Sequence, residues 1–172
     1  MPKSATTIRS YTCSSYNEQN KDNATPTPAR ENYARGRINH IAIEEARNAP
    51  DVVIGMFLVN SHPTTVLFDS GASHCFISSN YVAKYSLPIS LMKNGVLVSS
   101  LGGEMKANFA CHNLAISIKG VEFSVHLIVL DSKRVDLVLG MDWLSKHKGV
   151  LDCAIKAVNL TTKDRTILEY AS

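Results

Sequence analysis

The sequence predicts a small, mostly β, barrel-like domain with one or two short helices. Short apolar runs rich in Val, Ile and Phe follow one another closely from residue 51 onward. Turn residues separate those runs, and few stretches carry helical spacing. The chain has 172 residues, 45% of them hydrophobic, which is enough for one ordinary core and too short for two large lobes.

Each element can be taken in order. Residues 1–37 read as a polar tail or linker, because almost no aliphatic residue stands between Ile8 and Ile38. Such a segment buries too little apolar surface to offset its ordering entropy, so disorder is expected. Residues 38–50 form a lead-in, with a short helix expected across Ile41 to Ala46 that stops before Pro50. The domain proper is expected over residues 51–172. Val52 to Val59 and Thr65 to Phe68 read as strands joined by a turn at Asn60-Ser61-His62-Pro63. A helix over Ser79 to Tyr85 has Ser78 or Ser79 as its cap. Val96 to Val98 and Ala107 to Ala110 flank a glycine-bearing hairpin tip at Ser99 to Glu104. Val121, Phe123, Val125, Leu127 and Val129 alternate with polar residues at period two. The apolar run Val135 to Leu139 ends at Gly140, and Met141 to His147 suits a short helix. Ala157 to Leu160 and Thr166 to Tyr170 frame a terminal hairpin.

Composition excludes several function classes. Eighteen Lys and Arg against 15 Asp and Glu leave a net charge of +3, too weak for a nucleic-acid footprint. The basic group Arg30, Arg35 and Arg37 reads as part of a solvated linker. No apolar run reaches the roughly 18 residues of a membrane span. The start of the chain lacks the apolar block of a signal peptide. Cysteines 13, 75, 111 and 153 stand singly, with neither a zinc-ligand spacing nor a disulfide framework, and a reduced cytoplasmic setting is expected. The histidines have no metal-ligand spacing either, so no metal and no cofactor are expected.

The segment with chemical content is Leu67-Phe68-Asp69-Ser70-Gly71-Ala72-Ser73. Asp is a poor strand residue, and here it follows a run of β-formers. A turn at that point would hold the Asp69 carboxylate rigidly at a strand end. Gly71 allows a sharp bend and close approach, Ser70 supplies a hydroxyl, and small Ala72 and Ser73 leave room. Taken alone, the tripeptide reads more readily as a surface turn than as a site. The Cys75 and His74 neighbours are discounted as a nucleophile and base, because adjacent side chains rarely align that way.

A second segment, Asp136-Leu137-Val138-Leu139-Gly140-Met141-Asp142-Trp143-Leu144, supplies an apolar strand, a glycine and a helix start. Together the two segments resemble the retropepsins, aspartic proteases of retroviruses and LTR retrotransposons, and most of all the gypsy-type proteases of plant elements. Ala49 to Val53, Phe57 to Asn60 and Gly149 to Cys153 fit the same pattern. The resemblance implies a closed β-barrel half-lobe built to homodimerise, with one catalytic Asp69 per chain. It implies support of the catalytic loop by Ser70, Gly71, Ala72 and Ser73. Val138, Leu139 and Gly140 would pass beneath that loop. Leu101, Gly102 and Gly103 would form a flap over a polypeptide substrate. Asp142 would be a structural acid at a helix start, and Trp143 a packing residue. The implied activity is aspartic endopeptidase cleavage of gag-pol type polyproteins. A catalytically inactive dimerisation or peptide-binding module from a decayed or domesticated element is the alternative, and an RNA-associated gag remnant a third reading.

Overall fold

The computed structural model describes residues 33–39, 46–132 and 135–172. The strands are β1 Ala34–Arg37, β2 Val52–Val59, β3 His62–Asp69, β4 Phe76–Ser78, β5 Ser90–Ser100, β6 Gly103–Ile118, β7 Val121–Leu130, β8 Leu137–Leu139, β9 Val150–Asp152, β10 Ala157–Thr161 and β11 Ile167–Ala171. Short helices stand at α1 Ser79–Lys84 and α2 Met141–Lys146, and Ala46 and Arg47 are also helical. No described helix is long and apolar enough to cross a membrane.

The mostly β expectation is met, and the sheet closes. Its strands run β1-β5-β6-β2-β3-β8-β4-β7, and β6 also pairs with β7. The ring from β6 through β2, β3, β8, β4 and β7 back to β6 is therefore a barrel without a free edge. Strands β5 and β1 extend from it beside β6. The separate sheet β11-β10-β9 contains the expected terminal hairpin, with Ala157 opposite Ala171.

The β2–β3 hairpin turns at Asn60 and Ser61, both with positive φ (46° and 68°), so β3 begins at His62, inside the expected turn. This is the backbone of a tight two-residue hairpin whose twist matches the flanking strands. The α1 helix is capped as expected, with the Ser78 hydroxyl accepting from the Tyr81 N–H at 3.0 Å.

Alternation along β3 distributes side chains between two apolar clusters. Val66 and Phe68 join Phe57, Ile77, Leu127, Leu139 and Trp143 in one. Leu67 joins Ile38, Val52, Ala72, Phe76, Val96 and Val138 in the other. Strand β3, which leads into Asp69, is thus packed on both faces.

One expectation changes at the N-terminal side. Ala34–Arg37, assigned to the tail by composition, is a strand paired in parallel with β5, Ala34 opposite Val96 and Arg37 opposite Ser99. Its order comes from its neighbours, since its own residues carry almost no apolar surface. Residues 1–32 of the expected tail, and residues 41–45 of the expected helix, lie outside the described residues.

Candidate active site

Strand β3 ends at Asp69, opposite Val52 of β2. The chain then bends through Ser70-Gly71-Ala72-Ser73 and returns as β4, yet β4 does not lie beside β3. Strand β8 is inserted between them, parallel to β3 (Leu67 opposite Val138, Phe68 opposite Leu139) and antiparallel to β4 (Phe76 opposite Val138). The turn carrying Asp69 therefore crosses over the end of β8, and Gly140 lies under it.

That crossing explains the residue types. A Cβ on Gly140 would meet the carbonyl oxygen of His74, and would stand 2.8 Å from that of Ala72. Only glycine lets the two backbones approach so closely. The Met141 N–H donates to the Ala72 carbonyl at 2.8 Å, and the Gly140 N–H points to Cys75 Sγ at 3.4 Å. Gly140 thus lies directly beneath the turn, while Val138 and Leu139 pair with β3 and Val138 also with β4.

Within the turn, the Gly71 N–H donates to Asp69 Oδ1 at 2.7 Å and the Ala72 N–H to the Asp69 carbonyl at 3.2 Å. The carboxylate is therefore fixed by its own turn, as an Asp side chain bonding the backbone two residues on. Asp69 is 0% exposed. A Cβ on Gly71 would stand 2.7 Å from Asn39 Nδ2, 3.0 Å from Asp69 Oδ1 and 3.4 Å from Asp51 Oδ2. Asn39 and Asp51 thus crowd the same point as the carboxylate. The exposed Ser70 hydroxyl reaches the Asp51 carbonyl at 3.4 Å.

Ser73 faces the other way. Its N–H donates to the Arg37 carbonyl at 3.0 Å, and its hydroxyl accepts from the Arg37 N–H at 2.8 Å. Ser73 Oγ also contacts His74 Nδ1 at 2.8 Å. Leu101 and Gly102, expected in a flap, lie at the tip of the β5–β6 hairpin, where Ser100 stands opposite Gly103. Leu101 is 87% exposed.

Cys75 and Asp142 form a second tie beneath the turn. The Cys75 N–H and thiol donate to the Asp142 carboxylate at 3.3 and 2.9 Å, and the Trp143 N–H does so at 2.7 Å. Burial, and then the Asp142 charge, push the Cys75 thiol well above its ordinary range. A thiol so held is not a nucleophile. Trp143 is 4% exposed, packs at tilted and edge-on angles against Phe68, Phe123 and His147, and donates its indole N–H to the Ser124 carbonyl at 3.2 Å.

Sequence reasoning did not find Asn39, Asp51 or the Arg37 backbone as neighbours of the turn. The only signal available was the return of apolar residues at Ile38, which is 2% exposed here.

A closed β barrel carrying an Asp-Ser-Gly turn over a glycine-ended strand defines an aspartic-protease type of site. The chain belongs to the retroviral aspartyl protease family, whose model matches residues 32–166. It is similar to human Protein DDI1 homolog 2, 24% identical over 115 residues, covering 65% of this chain and 29% of that protein. It is also similar to DNA damage-inducible protein 1 of Candida glabrata, 32% identical over 95 residues, covering 55% of this chain and 22% of that protein. The match thus spans less than a third of either relative's length. The crystal structure of the retroviral protease-like domain of Ddi1 from Leishmania major has the same retropepsin-like fold, with a TM-score of 0.51, 14% identity, and coverage of 69% of this chain and 94% of that one.

Proposed function

We propose that the protein is an aspartic endopeptidase working as a homodimer, with Asp69 of each protomer forming one catalytic pair. The observation that carries this reading is the rigid presentation of a lone Asp69 by its own turn, above Gly140. One chain supplies one such acid. Two carboxylates about 3 Å apart cannot both ionise, so the pair would share a proton. The ionised member would take a proton from a bound water, and that water would attack the scissile carbonyl. The protonated member would donate to the carbonyl oxygen. The substrate would be an extended polypeptide lying as an added strand beneath the β5–β6 flap, whose tip Leu101-Gly102-Gly103 closes over it.

The finer assignment rests on the residue patterns around Asp69 and Val138-Leu139-Gly140. They support an origin in gypsy-type LTR retrotransposons and cleavage of gag-pol type polyproteins, the enzyme's own precursor included. The compartment is the cytoplasm, in keeping with free Cys75, Cys111 and Cys153.

A peptidase assay on the purified chain tests the reading. Asp69→Asn should lower cleavage by about a thousandfold or more while the fold persists. Cleavage at the unaltered rate by that variant would refute it. The rate should peak at mildly acidic pH, because activity requires a single proton on the pair. A second reading, a non-catalytic dimerisation or peptide-binding module, is favoured by one observation, the complete burial of Asp69 in the single chain. Pepstatin-type inhibition of measured cleavage would exclude it.

A further inference from the structure

We propose that residues 34–39 are an intramolecular strap occupying the protein's own peptide channel. The inference rests on the peptidase or peptide-binding reading of the site, because it needs the channel between flap and catalytic turn to be where an extended polypeptide lies. Such a polypeptide would touch two walls, the flap strand and the turn. The segment touches both. On one side β1 pairs in parallel with β5, and the Ile38 N–H donates to the Ser99 carbonyl at 3.0 Å. On the other side Arg37 exchanges two hydrogen bonds with Ser73, its carbonyl accepting at 3.0 Å and its N–H donating at 2.8 Å.

The side chains alternate as those of a bound peptide would. Arg35 and Arg37 point to solvent, whereas Gly36 and Ile38 are buried. A Cβ on Gly36 would stand 3.1 Å from Val96 Cγ1 on the flap strand, and 3.2 Å from His74 Nδ1 and 3.6 Å from Ser73 Oγ on the turn. Ile38 sits in the apolar cluster with Ala72, Val96 and Val98, filling a pocket between flap and turn. Asn39 then reaches the point beside Gly71 that Asp69 Oδ1 also approaches. The strap therefore runs from the flap to the catalytic carboxylate, which is 0% exposed. Little in its own composition makes this segment a strand, so the channel is what orders it. An incoming polypeptide, and the Asp69 of a second chain, meet the site only after the strap leaves.

The test uses the full chain carrying Asp69→Asn, so that cleavage cannot intervene, and a fluorescein-labelled peptide with the sequence of residues 33–39. Gly36→Trp is too large for the gap between Val96 and Ser73 and should expel the strap. Fluorescence anisotropy should show the labelled peptide binding at least about tenfold tighter to the Gly36→Trp chain, since the competitor in cis is gone. Amide exchange should quicken over residues 34–39 and at Ser73. Arg37→Pro, which removes the N–H donated to Ser73, gives a second expelling variant if Gly36→Trp does not fold. Equal affinity in all chains, or no binding to any, overturns the proposal. Assays with Asp69 restored separate it from the catalytic reading. Tighter peptide binding without cleavage keeps the strap and removes the peptidase. Cleavage with unchanged peptide affinity keeps the peptidase and removes the strap.

Discussion

The Asp69 turn and the tip of the β5–β6 hairpin are both glycine-bearing bends between strands, yet they are built in opposite ways. The turn over residues 69–73 is pinned from several sides. Gly71 bonds the Asp69 carboxylate, Met141 bonds Ala72, Gly140 presses from below, and Asp142 ties Cys75. The tip at Leu101-Gly102-Gly103 projects into solvent, and a Cβ on Gly103 would find nothing within 4 Å. A reacting carboxylate gains from being fixed before the substrate arrives, because no reorganisation is then required. A cover over the same substrate must open and close, so dense packing there would work against it. On the proposed function, the turn would serve as a rigid floor and the hairpin tip as a yielding roof.

Substitutions on the two sides should separate in size. The largest loss is expected for Gly140→Ala, whose methyl group would collide with the backbone carbonyls of Ala72 and His74. A cost of about 3 kcal/mol should appear in urea unfolding, and a cost below ~0.5 kcal/mol would show that the floor is not pinned there. Next comes Asp142→Ala, which strips the buried Cys75 N–H of its acceptor. That should cost about 2 kcal/mol by the same measurement. Gly103→Ala tests the roof. Its φ of +124° is strained for any side chain, but the space is open. Stability should fall by only about 1 kcal/mol, while turnover of an added peptide changes more than unfolding does. The smallest effect is expected at Arg35→Ala. Its pair with Glu104 is 3.8 Å long, with side chains 78% and 56% exposed. A change under ~0.5 kcal/mol that vanishes in high salt would match an exposed ion pair, and a larger one would mean the strap end is anchored there.

The elements read correctly from sequence share a local signature. Val52 to Val59 is a continuous apolar run that ends at turn residues, and Val121 to Leu127 alternates with Glu122, Ser124 and His126 at period two. Ser78 before an amphipathic stretch marks a helix start. Asp69 is conspicuous because an acid follows β-formers and precedes glycine. By contrast β4 and β9 have three residues each, too few to show any period, and β1 has scarcely an apolar side chain. Strands β1 and β4 exist because partners distant in the chain bond their backbones, and β9 because the nearby β10 folds back onto it.

The amino-acid order by itself determined the mostly β class and an acid at a strand end, both of which follow from neighbours a few residues apart. The closed half-lobe and the glycine beneath the acid were implied by the resemblance of two segments to a known family, not by local spacing. Only the tertiary structure decided that Arg37 bonds Ser73, that Asp142 holds Cys75, and that the Asp69 carboxylate is sealed with Asn39 close by. Each of those contacts joins residues some thirty or more positions apart, as the 36 and 67 residues separating the first two pairs show, and barrel closure alone sets such distances.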